Sequence, residues 1–276
     1  MSDPTNAQQI EFWNGATGEA WVDGQVQLDE LLSPISQVLL ARAAAGTGQR
    51  VLDVGCGAGA STIALAEAGA QVLGVDVSAP LLARARARAE GLDNCEFLQA
   101  DAARAQFDAP FDLLVSRFGV MFFDDPLAAF TQLRKALAAD GRLVFVCWQA
   151  PASNEWLSVP GRAVGSVLGP PPAADDPHAP GPFAFADADH LRGVLEGAGF
   201  RDVGIEAQTS TLHIGGSVDD AVALLSRVGP LSRALAEADE TRRGAAIDAA
   251  RSALEARLEA LGIRLASAYW LVTARR

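Results

Sequence analysis

Three aspartates stand where short apolar runs give way to small residues. Asp53 lies in Val51-Leu52-Asp53-Val54-Gly55-Cys56-Gly57-Ala58-Gly59, Asp76 in Leu73-Gly74-Val75-Asp76-Val77-Ser78, and Asp101 in Phe97-Leu98-Gln99-Ala100-Asp101-Ala102. Glycines that follow a strand let bare backbone approach a ligand at the start of a helix. The spacing is Gly-x-Gly-x-Gly, and the place of the third glycine in a dinucleotide fingerprint is taken by Ala60. An acid two residues before Gly55 would repel a pyrophosphate and attract an ammonium group. Asp76 can accept both hydroxyls of a ribose, and Asp101 can accept an exocyclic amine. Each has a plainer alternative: Asp53 could tie down the loop by accepting backbone N–H groups, and Asp76 could cap the next helix with Ser78. Taken together, three acids at three successive strand ends suit a phosphate-free nucleoside with an ammonium group, which is the chemistry of S-adenosylmethionine.

Other reactive side chains are few. His178 lies in the proline-rich stretch, His190 reads as a surface helix residue, and His213, near a strand end, has no acid at triad spacing, so a structural histidine is the commoner reading for it. Arg117 follows the fourth strand, where it could pair with an anionic substrate or with an acid such as Asp53 or Asp124. Phe118, Phe122, Phe123 and Trp148 either line an apolar acceptor pocket or belong to the core. Asp124-Asp125 reads as a cap for the helix starting at Pro126, not as a metal site, and Cys56, Cys95 and Cys147 form no CxxC pair. No metal is expected.

From Arg50 onward, short apolar runs alternate with helical patterns, the mark of parallel strands joined by crossover helices. Strands are predicted at Val51 to Val54, Val72 to Val75, Cys95 to Gln99, Phe111 to Ser116 and Arg142 to Trp148. Between them fall helices near Thr62 to Ala68, Pro80 to Glu90 and Pro126 to Ala138, the last closed by an Asp140-Gly141 turn. Pro151 to Pro182 contains eight prolines and reads as an irregular excursion over the carboxyl edge of the sheet. Beyond it come a helix over Asp187 to Ala198 and a strand over Val203 to Ile214. Ser217 to Leu261 reads as helical with a break at Gly229-Pro230, and a last strand runs from Leu265 to Ala274. The expected organisation is a helical lid over 1–48, an α/β core over 49–150, a proline-rich insertion over 151–182, and the end of the core over 183–276 with a helical cap at 217–261.

These residues resemble the class I S-adenosylmethionine-dependent methyltransferases, and among them the ubiquinone/menaquinone-type and small-molecule branch. The likeness is close for the glycine loop, the Gly74 to Ser78 loop, and Phe111-Asp112-Leu113-Leu114-Val115-Ser116-Arg117-Phe118-Gly119. It implies a doubly wound, mostly parallel seven-stranded sheet in the order 3-2-1-4-5-7-6, its last strand antiparallel. It also implies S-adenosylmethionine as cofactor. Asp53, Gly55, Cys56, Gly57 and Gly59 would surround methionine, Asp76 and Val77 the ribose, and Asp101 and Ala102 the adenine, with the Ser116 carbonyl on the amino group. Trp13 and Trp21 fall where relatives carry a lid touching the cofactor, although two tryptophans so placed could simply pin the N-terminus to the core. Trp13, Arg117, Phe118, Trp148 and His213 are the candidates for lining the acceptor pocket.

The implied activity is methyl transfer to oxygen, nitrogen or carbon of a small, partly apolar molecule. A nicotinamide-dependent dehydrogenase on a similar sheet and a non-catalytic cofactor-binding protein are the competing readings. Twenty-two basic against 34 acidic residues give a net charge of −12, which repels phosphate backbones and anionic membranes, so neither nucleic acid nor membrane is expected as a partner. Ser116-Arg117-Phe118-Gly119 also departs from the Asn/Asp-Pro-Pro-Tyr run of enzymes that methylate bases. The polar start, Met1 to Ile10, has no secretory signal pattern, and a cytoplasmic location is the expectation. The oligomeric state is not legible.

Overall fold

The computed structural model describes residues 6–170, 176–227 and 230–276. Strands β1 (Arg50–Val54), β2 (Gln71–Asp76), β3 (Cys95–Gln99), β4 (Phe111–Arg117) and β5 (Leu137–Trp148) run parallel. Beyond β5, β8 (Gly262–Arg275) lies antiparallel between β5 and β6 (Arg201–Gly215). The sheet order is β3-β2-β1-β4-β5-β8-β6, with the short β7 (Leu258–Glu259) pairing β8 off the main path. Without that two-residue strand, the order is the expected seven-stranded one with the final strand antiparallel.

The central strands are mostly apolar because helices cover both faces of a parallel sheet. Leu52, Leu113, Leu114 and Phe145 have no solvent exposure. Among the crossover helices, α4 (Ala60–Glu67) follows β1, α5 (Ala79–Arg88) follows β2, and α6 (Pro126–Ala136) follows β4. The starts of α5 and α6 are encoded as expected: Ser78 accepts from the Leu81 N–H, Asp125 accepts from the Ala128 N–H, and a proline stands in each first turn. The end of α6 differs from expectation. The helix stops at Ala136, Leu137 already pairs with Phe111, and Asp140-Gly141 sits inside β5 where the register jumps to Arg142 opposite Leu113.

Ahead of the sheet come α1 (Ala7–Asn14), α2 (Ala16–Asp23) and α3 (Gln25–Ala43). Leu28, Leu31, Leu32, Ile35 and Leu39 recur at helical spacing and turn one buried face of α3 onto the sheet. Two later expectations need correction. The proline-rich stretch is not irregular throughout, because α7 (Glu155–Leu168) holds only Pro160, while Pro151 and Pro170 flank it. Val159 and Val164 of α7 are buried, and the helix packs on α11 (Glu240–Glu255). Pro171 and Pro172 lie outside the described residues. The segment from 217 to 261 supplies α9 (Val218–Arg227), α10 (Pro230–Glu237) and α11, but its tail turns into β7. Gly229, at the expected break, lies outside the described residues. Between these segments, α8 (Ala188–Gly197) packs against α6 and β6. Among the described residues, no helix is long and apolar enough to cross a membrane.

Candidate functional site

A single continuous cavity opens at the carboxyl ends of β1, β2 and β4, under α1, α2 and α3. Its lining takes in Gly55, Cys56, Gly57, Asp76, Val77, Asp101 and Ala102 on one side, and Arg117, Phe118, Trp148 and Trp156 on the other, with Trp13 and Trp21 between. Most sequence candidates are therefore brought together. Asp53, Gly59, Ser116 and His213 are not at its surface.

Asp53 is fully buried beneath the loop, where its Oδ2 accepts the hydroxyls of Ser61 (2.7 Å) and Thr62 (2.6 Å) at the start of α4. The two hydroxyls and the Thr62 backbone N–H together hold it. Burial raises its carboxyl above the usual range, against the pull of those hydroxyls and of Arg117. Its Oδ1 has no hydrogen-bond partner.

The glycines divide the work differently from the sequence reading. Gly57 has φ +53° and open space where a Cβ would stand, so it leaves room on the cavity side. A Cβ on Gly55 would come within 2.6 Å of Gly119 Cα, and one on Gly59 within about 3 Å of Phe97 and Ala85. A side chain at either position would collide with the chain itself, and Gly55 also lines the cavity. Ser116 seals the same junction, donating to the Val54 carbonyl (2.7 Å) and accepting from the Gly119 N–H (3.1 Å).

Asp76 binds both neighbouring loops: Oδ2 accepts the Gly57 N–H and Oδ1 the Ser78 N–H, each at 2.8 Å. Each carboxylate oxygen keeps a lone pair for the cavity. Burial lifts its carboxyl above the ordinary value while those N–H groups oppose the shift. Ser78 is the helix cap, so the two alternatives for Asp76 resolve into a division between neighbours. Asp101 Oδ1 accepts from Asn6 Nδ2 (2.8 Å) and from the Ala103 N–H (3.0 Å). Asn6 also accepts from the Asp124 N–H, which ties α1 to the far loops.

Trp13 and Trp21 both line the cavity and pin the N-terminus. Their rings meet edge to face at 5.3 Å, Trp13 meets Phe122 at 5.4 Å, and Ser78 Oγ donates to the Trp13 carbonyl. Asn14 bonds the Val77 carbonyl and accepts from the Ala79 N–H.

Of the acids, Arg117 forms its ion pair with Asp29, not with Asp53 or Asp124, although the nearby Asp53 carboxylate also attracts it. Its Nη1 donates to Ser36 Oγ (2.8 Å) and its Nη2 lies 3.5 Å from Asp29 Oδ1, both on α3. Burial lowers its basicity, and the Asp29 and Asp53 carboxylates work against that. Asp29 also binds Arg88 (2.7 Å) and Gln25 (2.6 Å). Gln25 and Asp29 line the cavity and were missed in the sequence; the available signal was their four-residue spacing on the face of α3 that carries Leu28 and Leu32.

His213 is exposed and lies at Gly262, while its neighbour Leu212 is buried and lines the cavity. Strand alternation explains the miss, because adjacent residues face opposite sides. His178 and His190 stack at 3.7 Å away from the cavity. Cys56 reaches its lining, but burial pushes its thiol well above the ordinary value, so it is an inert contact and not a nucleophile. Among the described residues, no group of three metal-ligating side chains occurs.

The chain was compared with known proteins. Residues 51–141 match a family described as a methyltransferase domain. The chain is 35% identical over 153 residues to an uncharacterised protein of Mycobacterium tuberculosis, covering 54% of this chain and 56% of that one. It is 36% identical over 105 residues to a demethylmenaquinone methyltransferase of Clavibacter sepedonicus, covering 38% and 43% respectively. The chain thus spans about half the length of these relatives. Among solved structures, magnesium protoporphyrin IX methyltransferase from Synechocystis, with bound SAH, is similar at a TM-score of 0.57 and 17% identity, over 99% of this chain and 100% of that one. Residues 51–141 thus match a methyltransferase-domain family, and the sheet that carries them shares its fold with that methyltransferase structure.

Proposed function

We propose that the chain is an S-adenosylmethionine-dependent methyltransferase acting on oxygen, nitrogen or carbon of a small, partly apolar molecule. The observation that carries this reading is the cavity itself, which joins open Gly57, Asp76 and Asp101 to an apolar chamber walled by Leu28, Leu32, Phe118 and Trp148. In this reading Asp76 accepts two ribose hydroxyls, Asp101 and Ala102 take adenine, and the Gly55 to Gly57 backbone takes the methionine end. The cofactor supplies a methyl group on a sulfonium whose departure leaves a neutral thioether. The protein's part is then positioning and exclusion of water. The tryptophans of α1 and α2 close over the cavity, and the transfer needs no general base.

The small acceptor fits a chamber enclosed by helices, and the charge of −12 disfavours nucleic acid as acceptor. We take the N-terminal helices as a lid, residues 49–150 as the core, and α7 with α9 to α11 as the cap over the acceptor side. Production of S-adenosylhomocysteine should appear with at least one member of a broad metabolite library. Silence across all acceptor classes, with the cofactor bound, would instead mark a non-catalytic binding protein.

A further inference from the structure

Gln25 and Asp29 stand one turn apart on α3, and Arg84 and Arg88 one turn apart on α5. The two pairs meet as the rungs of a ladder. Arg84 Nε donates to Gln25 Oε1 (3.1 Å), Arg88 Nη2 donates to Asp29 Oδ2 (2.7 Å), and Gln25 Nε2 donates to that same carboxylate oxygen (2.6 Å). Gln25 is buried, and the Arg88 and Asp29 side chains are only 23% and 24% exposed, so their ion pair is better shielded from water than an ordinary surface one.

The inner rung has a third member. Arg88 Nη1 donates to the Ala58 carbonyl of the glycine loop (2.6 Å). A guanidinium is a rigid planar fork, so holding one prong on Asp29 fixes the direction of the other. One residue earlier, the Gly57 N–H donates to Asp76. The Gly57–Ala58 backbone is thus held through an N–H by Asp76 and through a carbonyl by Arg88. Both loop residues line the cavity, whereas Arg88 stays behind them, outside its lining. Asp29 has a further duty toward Arg117, whose Nη2 lies 3.5 Å from its Oδ1. Arg88 works against the charge on Arg117, and the carboxylate that the two share offsets their repulsion.

We propose that Asp29 is a positioning residue for the cofactor: it aims Arg88 at the Ala58 carbonyl and so fixes the Gly57–Ala58 backbone against the methionine end. This rests on reading the cavity as a methyltransferase site. The test is a double-mutant cycle on the whole chain, read by calorimetric titration with S-adenosylhomocysteine well below the melting point of every variant. Asp29→Asn keeps the size of the side chain but loses the charge that holds Arg88, and Arg88→Met removes the fork. Each alone should weaken binding by about three- to tenfold, a fraction of one charge-assisted hydrogen bond because the effect reaches the cofactor through the loop. The double variant should bind no more weakly than Arg88→Met alone. Arg84→Met cuts only the outer rung, so it should lower the melting point yet bind within about twofold of wild type. If Arg88→Met does not fold, Arg88→Lys takes its place in the cycle, keeping the charge without the fork.

Losses that add in the double variant would overturn the proposal, because Asp29 would then act on the cofactor without Arg88. Lowered melting points with unchanged affinity would overturn it too, since the ladder would then serve the fold alone. So would an Arg84→Met variant that binds as weakly as Asp29→Asn, which would mean a general loosening of the two helices. Failure of the wild-type chain to bind S-adenosylhomocysteine is a separate result, which would overturn the underlying methyltransferase reading first and this proposal with it.

Discussion

Replacing Asp76 by asparagine removes half of a double tether. The native carboxylate accepts one N–H from each of two loops, Gly57 and Ser78, at 2.8 Å apiece. An amide offers a single acceptor and turns a donor toward the other N–H, so one buried N–H loses its partner at about 1–3 kcal/mol. For a domain of this size that corresponds to a melting point lower by roughly 3–10 °C. Binding suffers separately, because a ribose hydroxyl that faced a charged acceptor now faces a neutral one. The difference of about 1–1.5 kcal/mol between a charged and a neutral acceptor predicts affinity for S-adenosylhomocysteine weaker by roughly five- to tenfold. Thermal melting of the free chain and isothermal calorimetry read the two effects independently. An Asp76→Asn variant that melts with the wild type and binds within twofold would refute both the tether and the ribose assignment.

Gly57→Ala adds a Cβ to open cavity space at φ +53°, so it should cost only about 1–2 kcal/mol of stability yet weaken cofactor binding sharply. Gly119→Ala drives a Cβ to 2.6 Å from the Val54 carbonyl and should unfold the chain at a much lower temperature; equal melting of the two variants would contradict this division. The raised carboxyl of Asp53 favours its protonated form in the fold, so its stabilising contribution is present below the unfolded value of about 3.9 and is lost as pH rises through the folded one. Asp53→Asn mimics the protonated form, and its melting point relative to wild type should rise as pH climbs above the unfolded value of about 3.9, whereas a flat or falling difference would show that burial does not govern this group. Asn6→Ala cuts the bonds to Asp101 and to the Asp124 N–H, so limited proteolysis should release the α1 segment faster than in wild type, and unchanged cleavage would argue that Trp13 alone holds it.

The sheet was legible because its signals are local. Apolar runs, capping residues such as Ser78 and Asp125, and glycines at strand ends each report on a few neighbouring residues. Asp76 and Asp101 were legible for the same reason. What the sequence hid depends on distant partners. Nothing near Asp53 announces that Ser61 and Thr62 will turn back to bind it, and nothing near Arg117 points to Asp29, 88 residues earlier. The proline count misled about α7, since prolines at the ends of a helix are tolerated where interior ones are not. For His213 the strand was found but its phase was not, and a single residue of phase separates solvent from cavity.

Calorimetric titration of the wild-type chain with S-adenosylhomocysteine, alongside NAD, tests the central claim most directly. The account predicts one-to-one binding of S-adenosylhomocysteine that weakens in Asp76→Asn, with no response to NAD. Saturable binding of NAD with no heat from S-adenosylhomocysteine would contradict it.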